Sequence, residues 1–331
     1  MRFAAALLAL LLALIAANNE GRALAQSASA QDYPTRPVTY VVPFPPGGAT
    51  DLLSRLVAQN LEKRLGKPFV VENRPGGGTV IATTAAAKAA PDGYTLLSAS
   101  VTSLAVNPTL FKALPYDPVK DFAPIALIAG TPFALVVNPS LPVRSVADLI
   151  KLARDMPGKL SYGSAGVGTP HHLYIEMIKS MTGVEMAHVP YRGSLAALTD
   201  VVAGHIPLMI CDLAPALEMI QSGKVRAIGI STAMRLPELP DVPPIGDTIP
   251  GFDAVGWQVV VAPAATPGAV IERLHDAVGS IMAQPEIKAE LIRLGMTPYQ
   301  TPPTTELRAF IKSEGARWAT IVQNAGVAGS E

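Results

Sequence analysis

The chain has one cysteine, Cys211, among 331 residues. A single thiol cannot close an internal disulfide, even in an oxidising compartment. It sits in the apolar run Ile206–Cys211, which reads as a buried strand. Nothing near it in sequence would activate it, so it reads as a small hydrophobe. Charge excess is also missing, since Lys+Arg and Asp+Glu each total 26. That removes the basic stripe expected of a nucleic-acid binder. Charged residues make up only 16% against 49% hydrophobic, which excludes a disordered chain. The usual catalytic signatures do not occur: no G-x-x-x-x-G-K-[ST], no H-E-x-x-H, no G-x-S-x-G. Gly166-Val167-Gly168-Thr169-Pro170-His171 lacks the third glycine of a dinucleotide fingerprint. Ser164, His171 and Asp212 can be drawn as a triad, but no nucleophile elbow or oxyanion signature accompanies them. Adjacent His171 and His172 on a helix point about 100° apart, and no cysteine or carboxylate completes a zinc spacing. We therefore expect no enzyme, no cofactor and no metal.

A long apolar run opens the chain. Phe3–Ala17 follows Arg2, and Ala23-Leu24-Ala25 gives a small-x-small cleavage site, with Ala28-Ser29-Ala30 as a second. The run is shorter than the roughly 20 residues of a spanning helix. Residues 1–25 thus read as a secretory signal, cleaved near Ala25 or Ala30. Their removal takes away Arg2, Glu20 and Arg22 and leaves the balance near neutral.

The 31 prolines and 27 glycines separate periodic segments and read as turn punctuation. Val38–Val42 is a β-branched run feeding Pro43-Phe44-Pro45-Pro46-Gly47-Gly48-Ala49, after which a helix begins near Thr50. Such a loop turns backbone N–H groups towards a ligand at a helix N-terminus, where partial positive charge favours an anion. The strand–turn–helix pattern recurs: Phe69–Glu72, Tyr94–Ala99 with a Ser/Thr loop Ser100–Ser103, and Leu160–Gly163 with a glycine loop Ser164–Pro170. Further strands are expected at Ala134–Val137, Ala187–Pro190, Val225–Ser231 and Gly256–Ala262, and three helices close the chain from Pro267. This alternation predicts α/β architecture with parallel sheet. At this length it predicts two α/β domains: residues 32–137 plus 256–331, with 138–255 inserted. Ligands of open α/β sheets bind beyond the carboxyl ends of strands, which places both loops at a cleft between the domains.

Several segments resemble the periplasmic solute-binding proteins of tripartite tricarboxylate transporters, the Bug family. They are Tyr33–Pro37, Val42–Gly48 with Asp51, Val71–Gly76, Pro91–Leu97, Leu114–Pro118 through Lys120-Asp121-Phe122, Tyr162–Gly166, His188–Gly193 and Leu239–Pro243. They cover essentially the whole chain after the signal. The resemblance implies a type II periplasmic-binding-protein fold, a small carboxylated ligand, the membrane subunits of such a transporter as partners, and the periplasm as location. It also implies a carboxylate held among backbone amides between Pro43–Thr50 with Asp51 and the loop Ser164–Thr169. The family pattern has Gly-Ser before its histidine, whereas this chain reads Gly168-Thr169-Pro170-His171-His172, so Pro170 removes a donor.

The expected binding residues are Phe44, Pro46, Gly47, Gly48, Ala49, Thr50 and Asp51 on the first loop, then Ser98, Ser100 and Thr102 after their strand. In the second half they are Ser164, Ala165, Gly166, Gly168, Thr169, His171, Arg192 and Asp212. Arg192 is the best side-chain cation, against a reading as a solvated surface residue. Asp51 fits a helix-dipole or loop-orienting role better than contact with an anion. Asp212 would accept a ligand amine or hydroxyl, or cap the next helix. Tyr33, Phe44 and Tyr191 are ring-stacking or core candidates. Aromatic dicarboxylates, citrate-like acids, acidic amino acids and nicotinate-like acids all fit, and a monomer is expected. A sensor docking on a signalling receptor, or less readily a secreted hydrolase, is the alternative role.

Overall fold

The computed structural model describes residues 32–331, so the expected signal segment lies outside the described residues. The first half begins with β1 (Val38–Val42), α1 (Ala49–Leu65), β2 (Phe69–Asn73), α2 (Val80–Ala87) and β3 (Thr95–Ser100). It continues through a wide turn at Thr102–Val106 into α3 (Asn107–Leu110) and β4 (Phe122–Thr131). Then follow β5 (Phe133–Val137), α4 (Val146–Asp155), β6 (Ser161–Ser164), α5 (Pro170–Thr182), β7 (Ala187–Pro190), α6 (Ser194–Ala203), β8 (Leu208–Asp212), α7 (Leu213–Gln221) and β9 (Arg226–Ile230). The chain ends with β10 (Gly256–Pro263), α8 (Gly268–Met282), α9 (Pro285–Arg293), β11 (Thr297–Pro298) and α10 (Thr304–Asn324).

Two sheets result. One has the order β11-β4-β10-β3-β1-β2, the other β7-β6-β8-β5-β9. β1 runs parallel to β2 and β3, and β6 runs parallel to β7 and β8. In each sheet an antiparallel strand stands beside the parallel set: β10 against β3 and β4, β5 against β8 and β9. This is the α/β arrangement expected from the strand–turn–helix repeat.

Three details differ from the sequence reading. The strand β4 was not expected, because Phe122–Thr131 is buried along its whole length and shows no alternation to betray it. The expected boundary after Val137 falls one strand late. Phe133–Val137 pairs with β8 and β9, so the chain crosses between sheets at Pro132. The expected loop Ser100–Ser103 is helical from Val101 onward, its hydroxyls packed into the interior rather than spent on turns.

The carboxyl ends of β1, β3, β6, β7 and β8 open onto one another, which positions the site. Pro45 packs against the backbone of Gly193, where an added Cβ would lie 3.0 Å from the proline ring. Gly47 faces Leu195 in the same way, at 2.9 Å. At Gly168, with φ +71°, a Cβ would collide with Leu110 at 2.0 Å. The two edges are therefore in contact around the cavity they enclose.

Candidate functional site

A cavity of about 240 Å³ lies between the sheets. Its walls come from the first loop (Phe44, Pro45, Pro46, Gly48, Ala49, Thr50), the end of β3 (Ser100, Val101, Thr102), and the crossing strands (Thr131, Phe133, Gly256, Trp257, Gln258). The second half adds Ala165, Pro170, His171, the turn Arg192–Ala196 and Asp212.

Three helices of at least ten residues, α1, α5 and α6, begin at this cavity, with 17, 13 and 10 residues. Their N-cap residues are Gly48, Thr169 and Gly193, and none makes a side-chain capping hydrogen bond. By contrast α4, away from the cavity, is capped by Ser145, whose Oγ accepts from the Asp148 N–H at 3.1 Å. The first N–H groups of an uncapped helix have no intrahelical partner, and a buried orphan donor is costly. At α5, Pro170 brings no N–H and the His172 N–H bonds the Thr169 carbonyl at 2.9 Å, so its contribution is the His171 N–H and the helix dipole. Five buried polar side chains on the same wall also have atoms without a partner among the described residues: Ser100 Oγ, Thr102 Oγ1, Thr131 Oγ1, Gln258 Oε1 and His171 Nδ1. Buried polar atoms normally find partners. Free donors, free hydroxyls and aligned dipoles around an apolar cavity are the chemistry of an anion seat.

The first loop is held from behind. Gly47 turns with φ +86° and donates its N–H to Asp51 Oδ2 at 2.9 Å. Asp51 also accepts from Arg55 Nε at 3.0 Å and Asn73 Nδ2 at 2.8 Å, and Asn73 Nδ2 also donates to the Phe44 carbonyl at 2.9 Å. Burial alone would raise the Asp51 carboxyl. The bonds from Arg55, Gly47 and Asn73 outweigh it and hold the group below its usual range. Asp51 and Gly47 thus shape the loop and are not on the cavity wall. Ser98 is also off the wall, fully buried beneath the loop and accepting from Ser54 Oγ at 2.8 Å.

The second loop is largely self-satisfied. Ser164 Oγ bonds His188 Nε2 at 2.6 Å and accepts from the Gly166 N–H at 3.0 Å. Thr169 Oγ1 donates to the Gly166 carbonyl at 2.7 Å, and the Gly168 N–H donates to His172 Nδ1 at 3.2 Å. Positive φ at Gly166 and Gly168 folds these groups inward. Between Ser164 and Thr169 only Ala165 reaches the wall, followed by Pro170 at the start of α5, while Ser164, Gly166, Gly168 and Thr169 do not. The two histidines diverge as adjacent helical residues must. His171 Nε2 bonds Asp212 Oδ2 at 3.0 Å, and its ring meets Phe133 edge-on at 5.1 Å. His172 stacks on His188 at 4.0 Å, beside Tyr162. The imagined triad is therefore split between a Ser164–His188 pair and a His171–Asp212 pair. Arg192 is exposed at the rim. Tyr33 is core, and Tyr191 donates to Asp200 at 2.6 Å.

Sequence reasoning missed the floor and one edge. Thr131, Phe133, Trp257 and Gln258 sit in strands buried along their whole length, with no local cue. Gly193-Ser194-Leu195-Ala196 carried one, since it is a second strand–glycine–helix junction after His188–Tyr191.

The sequence pattern of the tripartite tricarboxylate transporter family receptor (TctC) matches residues 53–327. The chain belongs to that family. It is 36% identical over 305 residues to Protein BugT of Bordetella pertussis, covering 92% of this chain and 93% of that one. Among solved structures, the R. palustris protein Rpa4515 with adipate superposes with a TM-score of 0.86 at 37% identity, covering 89% of this chain and 99% of that one. The periplasmic binding protein BugD gives 0.85 at 32% identity, covering 89% and 99%. The fold is that of the periplasmic binding proteins, and the receptor's relatives include periplasmic ones.

The stacked histidines of the receptor make its stability depend on pH. Burial pushes the imidazoles of His172 and His188 down to about 4, helped by Lys179 at His172 and by His172 itself at His188. Both are neutral when folded, and His172 uses its Nδ1 lone pair to hold Gly168. An unfolded histidine titrates near 6.5. Between those values the unfolded chain binds more protons, so stability rises with pH there. The stabilisation is complete above about pH 6.5 and is lost as pH falls towards 4. We expect the melting temperature to drop between about pH 7 and about pH 5, and to drop less in His172→Gln. Thermal melts across that range check it.

Proposed function

We propose that this receptor is exported, takes one small carboxylate into the cavity between its sheets, and delivers it to the membrane subunits of a tripartite tricarboxylate-type transporter without chemical change. The observation that carries the reading is the set of uncapped helix starts, α1, α5 and α6, facing one cavity beside unpartnered buried hydroxyls. The adipate bound by the related Rpa4515 protein supports the ligand class. The expected contacts are Phe44, Pro46, Gly48, Ala49, Thr50, Ser100, Thr102, Ala165, His171, Arg192 and Asp212, with Gly47 and Asp51 shaping the loop. Two units, one around each sheet, would close on the ligand by bending at Pro132 and within residues 231–255. A diffusible shuttle of this kind acts as a monomer, in the periplasm after cleavage near Ala25 or Ala30.

Energetically the seat suffices. Charge-assisted hydrogen bonds contribute about 1.5–3 kcal/mol each, and a micromolar ligand needs about 8 kcal/mol. Three or four such bonds with closure reach that without a buried arginine. The test is a thermal-shift screen of the chain lacking residues 1–25 against mono-, di- and tricarboxylates, with sugars and amines as controls. A ligand at a hundred times its Kd adds about 2.7 kcal/mol. Acids should raise the melting temperature. A response to sugars or amines alone would overturn the reading.

A further inference from the structure

The cavity carries an anion of its own. Asp212 ends β8 and lies 8% exposed on the wall, opposite Phe133 in the strand pairing. Phe133 is two residues from Thr131, whose strand partner Gly256 contributes no side chain there. Burial works against the Asp212 carboxylate, but His171 and the Ser194 hydroxyl more than compensate and keep it below its usual range. His171 Nε2–H uses one oxygen, Oδ2. An ionised carboxylate has about four acceptor sites on its two oxygens and no donor. Acceptor capacity is therefore left over in a cavity of about 240 Å³. Gln258 adds to the excess. One Nε2 N–H donates to Thr50 Oγ1 at 2.9 Å, while Oε1 has no partner among the described residues.

A ligand with only carboxylate groups would match the helix starts and then crowd a second negative charge against Asp212. Like charges brought together without water are strongly disfavoured. A donor on the ligand turns the same contact into a charge-assisted hydrogen bond.

We propose that Asp212 sets the specificity of this receptor, selecting acids that carry an amino or hydroxyl group beside the carboxylate over the matching acids that lack one. His171 positions the Asp212 carboxylate, and Thr131 Oγ1 is a second partner for the incoming donor. The proposal rests on the carboxylate reading and narrows it.

The test uses matched acids differing in one group: succinate, malate and aspartate; glutarate, 2-hydroxyglutarate and glutamate; benzoate with its hydroxy and amino derivatives. Each is titrated calorimetrically into the wild-type chain lacking residues 1–25. The donor-bearing member of at least one series should bind about tenfold or more tighter than the unsubstituted acid. Asp212→Asn should erase the gain from the ammonium group of aspartate or glutamate, which depends on charge. It should only reduce the gain from a hydroxyl, because the amide oxygen still accepts. That difference tells the two donor types apart. Equal affinity within every series, or a preference unchanged in Asp212→Asn, overturns the proposal while leaving carboxylate binding intact. The wild-type comparison needs no variant to fold. If no acid binds at all, the carboxylate reading fails and this proposal fails with it.

Discussion

Ala49→Pro should weaken carboxylate binding about 10- to 100-fold while leaving the fold intact. Ala49 is the first residue of α1, and its N–H is one of the orphan donors at the cavity. Proline is well tolerated at that position, because the missing N–H would make no intrahelical bond and the fixed φ suits the helix. The residue before a proline must be extended, and Gly48 already is, with φ −76° and ψ 169°. The substitution therefore removes a donor with little structural cost. A hydrogen bond to an ionised group contributes about 1.5–3 kcal/mol, which corresponds to the stated loss. Calorimetry gives the affinity and a urea titration the stability. An unchanged Kd would show that the anion does not sit at this helix.

Glu314→Ala should cost about 2–4 kcal/mol of stability, the largest single-site effect we expect. Glu314 lies on α10, and its Oε2 accepts from Trp257 Nε1 at 2.7 Å and Trp318 Nε1 at 3.1 Å. Its Oε1 receives Arg317 at 3.3 Å. Both indoles are buried, so removing the carboxylate strands two donors in the interior. Trp257 is also part of the cavity wall, so affinity should fall together with stability. Glu314→Gln keeps an acceptor oxygen and should lose less. A urea midpoint that does not move in Glu314→Ala would refute this account of the buried pair.

What the sequence made legible was local. Pro43–Thr50 announces itself through prolines, glycines and a helix start, and the wall residues Phe44, Pro46 and Gly48–Thr50 follow from that junction alone. The α/β class follows from the repeated strand–turn–helix pattern. The structure separates residues that sequence groups together. Asp51 and Gly47 turn away to hold the loop. Ser164 and Thr169 satisfy each other's loop, because glycines at positive φ bend it inward. The floor was illegible for a physical reason. Thr131, Phe133 and Gln258 lie in strands buried on both faces, where no alternation marks one side, and their role depends on which strands cross between sheets. Pairing decides that, and β4 gave no periodic signal of its own. The partnership of Ser164 with His188 was equally hidden, since it joins two parallel strands across the helix between them, 24 residues apart.

The central claim is that the helix starts at this cavity hold an ionised carboxylate. It is tested most directly by titrating the chain lacking residues 1–25 with the acid that stabilises it most, and then with that acid's methyl ester. The ester removes the charge and adds one methyl group. Saturable binding of the acid, with the ester at least about 100-fold weaker, is the expected result. Comparable affinity for acid and ester would contradict the account.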